Sequence, residues 1–278
     1  MNSQSVLTVN NLTKIFNPDT TAVDDVSFSV NQGELVAILG PSGAGKSTLL
    51  RCLNRLIPRT TGEIRIHGEE ITRCRGRDLL KLRSDVGMVF QQFNLVPRLT
   101  VFENVLAGRL SLCANLLWSM ASVFKIFKET EKQKAFEALT QVGISHLSPK
   151  RADSLSGGQQ QRVAIARTLA QEPRVVLADE PVASLDPASS HRVMGILKKI
   201  CESRRIPVLI NLHQVDLAQQ YADRIIGIQD GRLVFDGPVD QFTPGIAKTI
   251  YGAEFESAVC SVNINSAPDA AKEKTFAA

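Results

Sequence analysis

Along the chain the apolar positions change their period several times. Near the start, VLTVN and VSFSV (Val26–Val30) have β-type spacing, and ELVAIL (Glu34–Leu39) is a continuous apolar run. Such a run predicts a strand buried on both faces. It leads directly into GPSGAGKST and then LLRCLNRL, which reads as a helix. GEIRI (Gly62–Ile66) and VGMVF (Val86–Phe90) are further β-type runs. From Val101 to Val142 the pattern becomes helical, first apolar and then charged in KETEKQKAFEALTQV. After Ser154 the rhythm is QQQRVAIARTLA (helix), RVVLAD (strand), PASSHRVMGILKKI (helix), PVLIN (strand), VDLAQQYA (helix) and RIIGIQ (strand). Strands alternating with helices predict an α/β fold with a mostly parallel sheet covered on both faces. The helical stretch between them reads as an inserted subdomain. There is no internal repeat, and the residues from about Ser257 to the end have no periodicity, so a mobile tail is expected.

Composition narrows the class without choosing a function. A hydrophobic fraction of 44% with 22% charged residues excludes a wholly disordered or collagen-like chain. The net charge of +4 is mildly basic, too weak by itself to point to nucleic acid, though it suits an anionic ligand or membrane face. Cys52, Cys74, Cys113, Cys201 and Cys260 form no CxxC pair, so reduced thiols in a cytosolic protein are expected rather than disulfides or a zinc site. The N-terminal residues lack the pattern of a signal peptide. The longest uncharged apolar stretch, Leu110–Phe124, falls short of the ~20 residues that a spanning helix needs.

Three segments carry chemistry. Gly40, Pro41, Ser42, Gly43, Ala44, Gly45, Lys46 and Ser47, followed by Thr48, fit GxxxxGK[ST] between a strand and a helix. The glycines let backbone N–H groups converge on phosphate oxygens, and the helix presents its positive end to them. Lys46 can then reach the β- and γ-phosphates, and the Ser47 hydroxyl can ligate Mg²⁺. RVVLADE ends a buried strand in two acids, Asp179 and Glu180. An acid in that place is costly unless a cation or base accompanies it. Beside a P-loop, Asp179 reads as the Mg²⁺-side acid and Glu180 as the group that polarises the attacking water. The third segment is LSGGQQQR, where Ser156, Gly157, Gly158 and Gln159 open a second helix whose N-terminus can bind an anion.

LSGGQQQR, with the P-loop and LADEP, resembles the signature set of ABC-transporter ATPase subunits, over about residues 5–250. The resemblance implies an ABC-type P-loop NTPase with a mostly parallel core, an antiparallel β subdomain and an inserted helical subdomain at about 95–165. It places the ATPase domain at 5–252 and the tail at 257–278. It also implies two copies facing head to tail, each signature helix closing over the γ-phosphate held by the other copy. Gln91, with Gln92 adjacent, matches the Q-loop residue near Mg²⁺ or water. Asp186 matches the D-loop, and His213 the switch histidine on the γ-phosphate. Phe16 matches the aromatic that stacks on adenine, with core packing as the alternative. Asn211 and Val182 depart mildly from the family pattern. VFQQFNLVPRLTVFENVLAG, the apolar insertion around Trp118 and NLHQVDLA look like the phosphonate-importer branch.

The expected function is therefore ATP hydrolysis that energises import of phosphonates or related small phosphorus oxyanions. Expected cofactors are ATP and Mg²⁺. Expected partners are a second identical copy, transmembrane permease subunits and, indirectly, an extracytoplasmic solute-binding protein, without nucleic acid. The expected place is the cytoplasmic face of the bacterial inner membrane, as a peripheral protein. Leu110, Leu112, Leu116, Leu117, Trp118, Phe124 and Phe127 are either a permease-facing patch or the subdomain's own core. The basic residues between Arg51 and Arg83 read as a solvated face. A soluble ABC ATPase of DNA repair would carry a long coiled coil, a translation factor two cassettes, and a nucleotide kinase would lack LSGGQ. Phosphite, phosphate esters and other small solutes remain open as cargo.

Overall fold

A computed structural model describes residues 5–17, 19–112 and 127–252. Among the described residues ten strands form two sheets. The larger has the order β10-β9-β3-β8-β7-β6 and the smaller β2-β1-β4-β5. In the larger sheet β3 (Leu35–Leu39), β6 (Val86–Val89), β7 (Val175–Asp179), β8 (Val208–Asn211) and β9 (Arg224–Gln229) run parallel. Every residue of β3, β7 and β8 is buried. Their unbroken apolar runs follow from having both faces covered. At the edge, β10 (Arg232–Pro238) pairs antiparallel with β9.

The smaller sheet is antiparallel, built on the hairpin of β1 (Ser5–Asn17) and β2 (Thr20–Asn31), with β4 (Thr61–Ile66) and the short β5 (Glu69–Glu70) beside it. Its inner face packs Leu7, Val9, Val26 and Ile64 into one core with Val36 and Ile38 of β3 and with Leu49, Leu50 and Leu53 of α1 (Lys46–Leu53). Helix α1 is thus held in the core shared by the two sheets, with the end that follows the P-loop fixed.

A second core lies on the opposite face of the large sheet. It joins Val101 and Val105 of α3 (Val101–Leu106), Ala135 and Leu139 of α4 (Glu129–Gln141), and Val163 and Ile165 of α5 (Gly157–Ala170). Thr100 caps α3 and Glu103 returns the bond, a capping box that fixes where this helix begins. Helices α6 (Pro187–Arg204) and α7 (Val215–Tyr221) pack on the same core. No helix among the described residues is long and apolar enough to cross a membrane.

Three elements go beyond the sequence pattern. Helix α2 (Gly76–Asp85) lies in the basic stretch read as a solvated face, and it buries only Leu82 and Ser84. Within that stretch Arg55 is not solvated throughout, because its guanidinium donates to the Thr72 and Cys74 carbonyls. Strand β10 and α8 (Pro244–Tyr251) follow the last anticipated strand, α8 opening with a Thr243 cap and Pro244 in its first turn. Of the apolar insertion, Leu110 is exposed and Phe127 packs partly against the second core. Leu116, Leu117, Trp118 and Phe124 lie outside the described residues, as do the tail, Cys113 and Cys260; of Leu112 only the backbone is described.

Candidate nucleotide site

Parallel pairing brings the carboxyl ends of β3, β7 and β8 side by side, where ligands of open α/β sheets bind. The P-loop leaves β3 there and α1 begins at Lys46 with no side chain capping its N-terminus. Gly45 has φ +97, and a Cβ on it would sit 2.0 Å from the Ala22 carbonyl oxygen. Only glycine lets the loop pass this close to the β1–β2 hairpin. The buried Lys46 Nζ donates to the carbonyls of Gly40 at 2.7 Å and Pro41 at 2.8 Å. The cleft is lined by Ser42, Gly43, Ala44, Gly45, Lys46, Ser47 and Thr48, by Ala22 from the hairpin, and by Glu180 and His213 opposite.

Both acids sit where the chain order predicts. Asp179 is buried, and its Oδ1 accepts a bond from Ser47 Oγ at 2.7 Å and another from Asn211 Nδ2 at 2.9 Å. Arg51 lies 3.5 Å from the other carboxylate oxygen. Glu180, one residue on, has φ +50 and leaves the strand. Its Oε1 lies 2.7 Å from His213 Nε2, a hydrogen bond in which the carboxylate oxygen accepts when Nε2 carries the proton. Among the described residues no group of three or more His, Cys, Asp or Glu side chains could hold a metal by itself. A hydroxyl and a carboxylate in contact beside a phosphate-type loop are hard oxygen donors. They fit Mg²⁺, which takes few protein ligands and shares the rest with phosphates and water.

The other anticipated residues lie outside the cleft's lining. Ser156 precedes α5, and its N–H donates to Gln159 Oε1 at 3.0 Å. Gly157 faces Leu185 and Phe93, while a Cβ on Gly158 would meet Ser189 Oγ at 2.7 Å. Asp186 Oδ1 accepts from the Ser189 N–H at 2.9 Å and so caps α6. That bonding holds the Asp186 carboxyl below its ordinary range. The residues expected to form the signature and the D-loop therefore meet through Ser189. Gln91, two residues beyond β6, is exposed, and so is Gln92. Phe16 is 53% exposed at the end of β1, with Lys14 Nζ 4.8 Å from its ring centroid, so core packing does not explain it. Motif spacing missed Arg51, which α1 carries to Asp179, and the bonding role of Asn211, which the register of β7 and β8 sets opposite it.

Comparison with known proteins identifies the family. The family model described as ABC transporter matches residues 23–183. The phosphonates import ATP-binding protein PhnC 2 of Oceanobacillus iheyensis is 50% identical, the match covering 89% of this chain and 96% of that protein. The phosphonates import ATP-binding protein PhnC of Staphylococcus haemolyticus is 49% identical over 87% of this chain and 93% of its own. Among solved structures, CbiO1 of Clostridium perfringens superposes with a TM-score of 0.74 at 31% identity, covering 85% of this chain and 90% of that one. The dimeric structure of MJ0796, a bacterial ABC transporter cassette, gives 0.72 at 34% identity, covering 85% of this chain and all of the other. The chain belongs to the ABC transporter family and carries its ATPase domain.

Proposed function

We propose that this chain hydrolyses ATP to drive import of phosphonates through a membrane permease to which it is bound. The observation that carries the ATPase reading is the meeting of two pairs, Ser47–Asp179 and Glu180–His213, beside the P-loop. The phosphonate reading is supported by relatives named for phosphonate import that are about half identical over nearly all of their length.

The residues divide the work by position. Lys46 exchanges the Gly40 and Pro41 carbonyls for phosphate oxygens, and the open start of α1 receives the phosphate charge. Ser47 and Asp179 are the side chains that would hold Mg²⁺, whose positive charge neutralises the phosphates. Glu180 orients the water for in-line attack, and His213 fixes the Glu180 carboxylate while facing the γ-phosphate. Gln91 senses the same site from the end of β6, and Phe16 offers its exposed ring to the adenine. Ser156, Gly157, Gly158 and Gln159 serve the ATP of a second identical copy, with Asp186 carrying the signal between the two. In this reading residues 5–252 form the ATPase domain, with the segment at about 95–165 as its helical subdomain, docked on the cytoplasmic face of the membrane. A solute-binding protein delivers cargo on the far side.

The test is uptake of a radiolabelled alkylphosphonate by cells lacking this chain, complemented with the wild type or with Glu180→Gln. Phosphite and phosphate are measured in parallel. Uptake restored by wild type alone, and chiefly for the phosphonate, is expected. Restoration of phosphite uptake alone would overturn the cargo, and full uptake with Glu180→Gln would overturn the role of Glu180.

A further inference from the structure

Asn211 ends β8, a strand that reads VLIN and is buried at every position. Its side chain is fully buried, and an amide there is costly unless both its ends are bonded. One end is. Parallel pairing sets Asn211 directly opposite Asp179, and its Nδ2 donates to Asp179 Oδ1 at 2.9 Å. A carboxylate can only accept, so the amide orientation is fixed by chemistry. The oxygen that receives this bond is the one that also takes the Ser47 hydroxyl at 2.7 Å. The other end of the amide, Oδ1, has no hydrogen-bond partner among the described residues.

A valine or isoleucine would fill this strand position without leaving a buried acceptor unpaired. The orphaned oxygen therefore points to a donor that arrives with a ligand, beside a carboxylate already tied to the P-loop serine. We infer that Asn211 is a positioning residue for the Mg²⁺ of bound nucleotide, holding Asp179 through Nδ2 and accepting through Oδ1 a hydrogen bond from a water of the cation's shell. The inference rests on the Mg²⁺·ATP reading of the cleft. Partners that orient metal-ligating side chains commonly set metal affinity by about 10–100-fold.

The experiment titrates Mg²⁺ into the purified chain with a fluorescent ATP analogue and reads binding, not turnover. Asn211→Val suits a buried strand and removes both polar ends. Its Mg²⁺ half-saturation is expected to rise about tenfold. Analogue affinity without Mg²⁺ should stay at the wild-type value, and the melting temperature should not fall. Asn211→Ser keeps a donor for Asp179 and should show a smaller rise. Wild-type Mg²⁺ dependence in a folded Asn211→Val, or an equal loss with and without Mg²⁺, overturns the role. If the valine protein does not fold, wild-type Mg²⁺ dependence in Asn211→Ser overturns it instead. A wild-type chain that binds the analogue without regard to Mg²⁺ would overturn the nucleotide reading itself.

Discussion

Asp179 and Glu180 are neighbours in the chain, yet one turns to Ser47 and the other to His213, because the backbone changes region between them. Asp179 is the last residue of β7, while Glu180 has φ +50, a conformation rare for a side chain of this size. Strain of this kind is concentrated at functional sites, where the surrounding packing holds it. Burial has the opposite effect on the cysteines. It pushes the Cys201 thiol up to about 12, with Asp223 adding to the shift, and the Cys52 thiol up to about 11 against the pull of Lys14 and Arg55. The thiolate is the reactive form, and neither thiol is exposed. Iodoacetamide at neutral pH should therefore label the half-buried Cys74 at least about ten times faster than Cys52 or Cys201. Peptide mass spectrometry reads this directly, and equal labelling of the three would contradict the packing described.

At the scale of elements, the helical part is fastened by a buried guanidinium. Arg109 bonds Glu131 of α4, the Ala170 carbonyl at 2.6 Å and Glu172 at 2.9 Å, while Lys134 of α4 also reaches Glu172 at 2.5 Å. The segment after α3, helix α4 and the end of α5 are thus held together by one ionic cluster. Breaking a buried pair costs about 3–5 kcal/mol, and the half-exposed Glu172 lowers that. Arg109→Met is expected to lose about 2–3 kcal/mol in urea unfolding. Burial raises the Glu172 pKa, but Lys134 and Arg109 outweigh it and hold the carboxyl below its ordinary value of 4.5. A depressed carboxyl stabilises the fold above that ordinary value and ceases to do so as pH falls through the depressed one. The difference between wild type and Arg109→Met should accordingly narrow below about pH 4.5, and a difference that widened there would remove Glu172 from the cluster.

For the whole molecule, what matters most is where the P-loop cleft and the segment Ser156–Gln159 lie. The P-loop cleft is lined by residues from the hairpin, the loop and the ends of β7 and β8, whereas Ser156 to Gln159 pack against α6 outside it. In the proposed function a second copy brings these residues to the cleft, and bound ATP joins the two. Glu180→Gln keeps the hydrogen-bonding shape and removes the charge to which the proposed function assigns activation of water. With ATP and Mg²⁺ it should run as a stable dimer in light scattering, with turnover at least about 100-fold below wild type. A Glu180→Gln protein that stays monomeric with ATP, at concentrations where wild type also does, would sink the proposed closure.

Local features were readable without coordinates because they depend on neighbours in the chain. The P-loop needs closely spaced glycines and a following helix, and β3, β7 and β8 need only their apolar runs, so all were legible. Helix α2 was hidden because half of its residues are charged and it buries only Leu82 and Ser84, so it reads as a solvated stretch. Strand β10 is an edge strand with alternating burial, and α8 is short; neither contrasts strongly with loop composition. What the tertiary structure alone decided is which distant side chains meet. His213 reaches Glu180, and Asn211 reaches Asp179 across 32 positions of sequence, because parallel pairing of β7 with β8 sets their register. Phe16 is exposed rather than packed because the hairpin carries it past the end of the shared core. Composition and local periodicity encode the elements, but a register is a long-range pairing whose partners are chosen only when the sheet closes.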